Sequence, residues 1–135
     1  MTQVETRDHE LHWDVYVTPG IPVETSELPP GMQQRWWSPT SATLICGERD
    51  AVLVDALLTV AQAHALGEWV EAHDKHLTTI YTTHGHGDHF FGASTLLRRF
   101  PHARFVATPE VVKIMRQQAS PQSLASFWTP RCSWH

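Results

Sequence analysis

The first regular pattern in the chain is an alternation. Leu11, Trp13, Val15 and Val17 are interleaved with His12, Asp14, Tyr16 and Thr18. That period of two predicts a strand with one buried face, ended by Pro19-Gly20. Residues 19–40 carry Pro19, Pro22, Pro29, Pro30 and Pro39 together with Gly20 and Gly31. Such a density predicts a long loop free of regular elements, the kind of segment that tends to carry function. Trp36-Trp37, near its end, either anchor the loop to the core or cover a pocket.

Two apolar runs follow, Ser41–Cys46 and Ala51–Val54, separated by Gly47-Glu48-Arg49-Asp50. They predict a β-hairpin, and their continuous apolar character predicts burial on both faces. From Val60 to about His73, Ala63, Leu66 and Val70 share one helical face, with Glu68, Glu71 and Asp74 elsewhere. Leu77–Thr82 is β-branched and aromatic, hence a strand. Ala93–Phe100 reads as a short helix ending before Pro101, and Arg104–Thr108 as another strand. Pro109 opens a helix running to about Gln118, with Thr108 as its N-cap. An antiparallel start followed by strand–helix–strand alternation predicts an α/β layered fold. Residues 120–127 fit a partial helix, but residues 128–135 show no period, so 120–135 is an unpatterned tail.

With 135 residues, 41% hydrophobic and 18% charged, the chain fits one globular domain with a polar, frayed start over residues 1–10. Six Trp are enough to line a core or a pocket. A net charge of -4 without a Lys/Arg run argues against nucleic acid as a partner. No apolar run approaches the ~20 residues of a membrane span, and the start lacks the apolar region of a secretory signal. A cytoplasmic protein with no membrane partner is the expectation. Cys46 and Cys132 do not make a disulfide framework, and Cys46 reads as a small buried hydrophobe.

The ten His equal Lys and Arg combined. Isolated ones, His64, His73 and His76, read as solvated or capping residues. The stretch Thr82-Thr83-His84-Gly85-His86-Gly87-Asp88-His89-Phe90-Phe91-Gly92 is different. Residues two apart in an extended segment project to the same side, so His84 and His86 can meet one ion. Asp88 and His89 diverge unless the chain turns, and Gly85 and Gly87 permit a turn because glycine accepts positive φ and close approach. One nitrogen-rich site from His84 and His86, beside a mixed site from Asp88 and His89, suits Zn²⁺, with Fe or Mn as further candidates. Asp55, directly after an apolar strand, is compatible with a catalytic or supporting role and equally with a helix cap or a loop hydrogen bond.

This stretch closely resembles the His-x-His-x-Asp-His motif of the metallo-β-lactamase-fold hydrolases. Ala51-Val52-Leu53-Val54-Asp55 is similar to the strand ending in aspartate that precedes it in that family, and the order of elements agrees from about residue 41 to 119. Phe91-Gly92 stands where many members have Gly-Gly. The resemblance implies half of an αββα sandwich, a mixed sheet with flanking helices. It implies that His84 and His86 bind a first metal and Asp88 and His89 a second, in a dizinc site. Asp88 would also shuttle a proton as the catalytic residue, and Asp55 would support the metal loop from behind. The implied reaction is hydrolysis of an ester, thioester, lactone or lactam in a small-molecule substrate.

The family takes three further ligands, a histidine, a bridging aspartate and a last histidine, from a second half. After His89 this chain has only His102 and His135, and its last acid is Glu110. None can be matched to those ligands. The expectation is a single, incomplete domain over residues 1–135, truncated or frame-shifted, with impaired activity and self-association through an uncovered sheet edge. The alternatives are a non-catalytic metal-binding fragment or interaction module, and an iron-dependent, non-hydrolytic enzyme of the same fold.

Overall fold

The computed structural model describes residues 10–131. Most of the expected fraying at residues 1–10, and the readings of Cys132 and His135, lie outside the described residues. Five strands form the main sheet: β1 (His12–Val17), β4 (Ser41–Cys46), β5 (Asp50–Val54), β6 (His76–Tyr81) and β7 (Arg104–Val106), in the order β1-β4-β5-β6-β7. β1, β4 and β5 pair antiparallel, while β5–β6 and β6–β7 are parallel. The mixed sheet with flanking helices is therefore present, and the predicted hairpin is β4–β5.

A parallel neighbour needs a crossover, and α1 (Val60–Ala72) supplies it between β5 and β6. Thr59 and Gln62 start α1 as a capping box, each side chain bonding the other's backbone N–H. α2 (Ala93–Arg99) leads into β7, and α3 (Pro109–Gln118) starts at Thr108, whose hydroxyl accepts from Val111 N. α1 and α2 lie on one face of the sheet. Ala63, Leu66 and Val70 of α1 and Leu96 of α2 pack there on Leu44, Leu53 and Ile80. Cys46 is buried in this core, as its apolar neighbours imply. The helices touch closely at Gly67, where an added Cβ would lie 2.8 Å from Arg99 Cδ. Arg99 then reaches Glu71 through two bonds of 2.7 and 2.8 Å, which hold the Glu71 carboxyl below its usual range.

Four expectations change. Residues 19–40 are not free of regular elements: β2 (Ile21–Val23) and β3 (Arg35–Trp37) pair as a separate two-stranded sheet. Pro22 is tolerated because a two-stranded ribbon is all edge. Gln34 Nε2 ties the ribbon by donating to the carbonyls of Val23 and Arg35. Second, β4 and β5 are buried on one face only, with Ala42, Leu44, Cys46, Ala51 and Leu53 inward and Thr43, Ile45, Val52 and Val54 partly open. Third, β1 turns its apolar side away from the helices. Trp13 is 74% exposed and Val17 63%, because the register sets Trp13 beside Ile45 and Val15 beside Thr43, on the face that α1 and α2 leave open. Fourth, the segment after α3 is helical through Arg131, in α4 (Pro121–Ser123), a π-helical turn (Leu124–Trp128) and α5 (Thr129–Arg131). Trp128, read as part of an unpatterned tail, is buried. No helix among the described residues is long and apolar enough to cross a membrane.

Candidate metal centre

The site forms at the carboxyl ends of the parallel pair β5 and β6, where α/β sheets place their ligand crevices. Asp55 leaves β5 with its N–H donating to Tyr81 O at 2.8 Å. Thr82 and Thr83 leave β6 beside it. The two segments are then knitted together by Ala56 N to His89 O at 2.8 Å and Gly92 N to Leu57 O at 3.0 Å. Asp55 and Leu57 sit at φ 67° and 64°, a region that costs an L-residue roughly 1–2 kcal/mol. The cross-bonds hold this strained turn beside the candidate ligands.

The glycines of the loop are there for space. None has positive φ. A Cβ at Gly85 would lie 2.5 Å from Ile114 Cβ, and one at Gly87 2.3 Å from Phe91 Cε2 and 2.6 Å from Trp128 Cζ2. At Gly92 it would meet Ala56 O at 2.0 Å. Of the two glycine properties expected at Gly85 and Gly87, the close approach is used and the positive φ is not. The turn after them is a short 3₁₀ segment, Gly87–His89.

Asp55 is buried and accepts on both oxygens: from Thr83 N at 2.9 Å, from Thr83 Oγ1 at 3.0 and 2.9 Å, and from His89 Nδ1 at 2.8 Å. Thr83 Oγ1 also lies 2.9 Å from His84 Nδ1. A hydroxyl has one proton, and a carboxylate can only accept. The Thr83 proton therefore goes to Asp55, and His84 Nδ1–H donates to the Thr83 oxygen. His89 Nδ1–H likewise donates to Asp55. Both rings are thereby fixed in the tautomer that leaves Nε2 as a free donor atom for a cation. Of the alternatives for Asp55, the loop hydrogen-bonding role is realised.

One ligand atom from each of Asp55, His84 and His89 lies within 4.8 Å of the others. His86 is not in that close group; it is exposed, with its ring 4.9 Å from that of His84. Asp88 Oδ2 is 3.6 Å from His89 Nε2. Burial first, and then His89 and His86 as neighbours, lower the pKa of His84, which favours the neutral ring that a metal ligand needs. Two fixed imidazoles, a third within reach and a carboxylate make a donor set that fits a zinc-like cation.

Beside it lie two hollows that share Asp88, Trp37 and Phe127. One, of about 410 Å³, also has Arg35, Trp36 and Arg131 in its wall. The other, of about 440 Å³, adds His86, Gln118 and Trp128. Trp37 meets both sequence alternatives, packing on Trp128 with ring centroids 5.5 Å apart while lining the hollows. Sequence reasoning missed Thr83, whose place directly before the first histidine and after a strand was a usable signal. It also missed Trp128, Arg35 and Arg131, for which the sequence carried none. Among the isolated histidines, His64 is exposed and His73 caps the end of α1. His76, also exposed, lies 3.1 Å from Asp50.

Comparison with known proteins bears on the family and the fold. A family profile described as the metallo-beta-lactamase superfamily matches residues 35–129. A hydroxyacylglutathione hydrolase of Synechococcus sp. (strain CC9902) is 41% identical over 59 residues, covering 44% of this chain and 22% of that protein. Among solved structures, the metallo-beta-lactamase SMB-1 bound to 2-mercaptoethanesulfonate is 27% identical, with TM-score 0.51, over 66% of this chain and 35% of that one. The metallo-beta-lactamase FIM-1 from Pseudomonas aeruginosa in its mono-zinc form shares the fold, at TM-score 0.52 and 20% identity, over 78% of this chain and 48% of that one. In each case the match spans less than half of the relative's length.

Proposed function

Because the chain belongs to the metallo-beta-lactamase superfamily, we propose that it carries part of the active centre of a metal-dependent hydrolase acting on an ester, thioester, lactone or lactam. The observation that carries this reading is the Asp55–Thr83 relay, which presents Nε2 of both His84 and His89 as free donor atoms. His84 and His86 would hold one cation, and Asp88 and His89 a second, with zinc as the best match to the donor set. Such a cation supplies Lewis acidity to a carbonyl oxygen and lowers the pKa of water. Asp55 and Thr83 orient the rings. Asp88 accepts a proton from the attacking water and returns it to the departing oxygen, sulfur or nitrogen. Trp37 and Phe127 exclude bulk water from one side.

The test is metal analysis and turnover of the purified 135-residue chain, with and without added Zn²⁺. With two of its own side chains per ion, the chain is expected to hold fewer than two zinc ions tightly and to hydrolyse ester, thioester, lactone and lactam probes slowly. His84→Ala should lower the metal content, and an unchanged content would show that the ligands lie elsewhere. Iron retained in preference to zinc after growth in mixed metals would favour a non-hydrolytic enzyme. Metal binding with no turnover at any zinc concentration would favour a binding module.

A further inference from the structure

The reading above leaves two cations of the protein unexplained. Arg35 and Arg131 come from distant parts of the chain, β3 and α5, yet both line the 410 Å³ hollow that borders Asp88. Arg35 is placed there by the β2–β3 ribbon, opposite Val23 in the ladder. Arg131 is seated by Nη1, which donates to Phe127 O at 3.0 Å and Ser126 O at 3.4 Å, and its guanidinium lies 4.5 Å from the centre of the Phe127 ring. Neither guanidinium forms an ion pair with a carboxylate among the described residues. Glu24 and Glu27 border a separate hollow that Arg131 also touches, without pairing to it. Trp36, Trp37 and Phe127 make up much of the remaining wall.

We propose that this hollow binds the carboxylate end of the substrate, so that the preferred substrates are esters or thioesters carrying a free carboxylate beside an aryl or alkyl body. This rests on the hydrolase reading for the chemistry at Asp88 but not for the binding itself. Guanidinium matches a carboxylate with two parallel N–H donors, and Arg131 keeps Nε and Nη2 uncommitted among the described residues. The aromatic wall accommodates the apolar body and strengthens the charge contact by excluding water. Asp88, which borders the same space, offsets one of the two positive charges. The site therefore suits a monoanion better than a phosphate dianion.

Binding of 4-phenylbutyrate and of its neutral amide, 4-phenylbutyramide, to the metal-free chain tests this. With no metal ion present, the cationic side chains that line this hollow among the described residues are Arg35 and Arg131. The indole N–H signals of Trp36 and Trp37, assigned by Trp→Phe variants, report occupancy in ¹H–¹⁵N spectra. The acid should bind at least tenfold tighter than the amide, and the preference should shrink as sodium chloride is raised from 50 to 500 mM. The double variant Arg35→Gln with Arg131→Gln should lose the preference while still binding the amide. Equal binding of acid and amide by the unaltered chain would overturn the proposal, as would a preference that survives in the double variant. The salt series decides the matter if the double variant does not fold. His84→Ala separates the two readings, because it should lower metal uptake and leave the acid-over-amide preference intact, His84 lying outside the lining of this hollow.

Discussion

Nδ1 of His89 donates to Oδ2 of Asp55 at 2.8 Å, joining residues 34 positions apart. The bond fixes the orientation of a candidate ligand from a side chain that was buried to do so. Asp55→Asn should therefore weaken zinc binding by about 10- to 100-fold with little loss of fold, since Asn tolerates the left-handed backbone at this position. Chelator competition measures the affinity, and ¹⁵N shifts of His89 report its tautomer. Affinity and tautomer both unchanged would remove Asp55 from the site.

The Thr83 hydroxyl gives its one proton to Asp55 and accepts the Nδ1 proton of His84. Thr83→Val keeps the β-branched shape and deletes the relay, so His84 loses its fixed tautomer and Asp55 loses its hydroxyl donor. Zinc affinity should fall by about tenfold or more, and the His84 ring resonances should show both neutral tautomers. A single tautomer retained in Thr83→Val would place the orienting contact elsewhere.

The pKa of His84 is lowered from 6.5, first by burial and then by His89 and His86. The unfolded chain therefore takes up a proton at His84 more readily than the folded one does. Stability from this group is fully present above the unfolded value and is lost as pH falls through the folded one. Urea midpoints of the metal-free chain should decline from pH 7.5 to 5, and His84→Gln should flatten the decline. An identical slope in the variant would assign the effect to other histidines.

Two glycines separate space from backbone conformation. Gly92→Ala forces a Cβ to within 2.0 Å of Ala56 O, where backbone cannot yield, and should cost about 3 kcal/mol. Gly31→Ala has nothing within 4 Å and only its φ of +82° to oppose it, so about 1 kcal/mol is expected. Thermal unfolding orders the two. Equal losses would mean that the loop between Asp55 and Gly92 adjusts freely.

Most of the sheet and helix order was legible because each element has its own local signal. The period of two in β1, the apolar face of α1 and Pro109 after Thr108 are examples. Which side of β1 faces the core was not legible. Alternation names two faces but does not say which of them the helices cover. The ribbon β2–β3 was hidden by prolines that only an edge tolerates. At the candidate site, the four motif residues and Asp55 were visible as a cluster of residue types. The Thr83 relay and the arginines of the hollow depend on contacts across the fold, and spacing along the chain does not carry those.

The open face of the sheet holds Trp13, Val15 and Val17 in β1 with Ile45 in β4 and Val52 and Val54 in β5. Such a patch favours association, and we propose that the isolated chain self-associates through it and through the β1 edge. Sedimentation should show weight-average mass rising with concentration, and Val15→Lys should suppress the rise. A monomer at all concentrations would refute this.

One consequence of that one-sided burial concerns neighbours within a single strand. Leu44 and Leu53 are wholly buried, whereas Ile45 and Val52, the very next and preceding residues, look outward. Truncating the first pair should lower the melting temperature and leave solubility alone. Polar replacement of the second pair should raise solubility and leave the melting temperature nearly fixed. A mutational scan along β4 and β5 would then show two phenotypes alternating residue by residue, each with the period of the pleat.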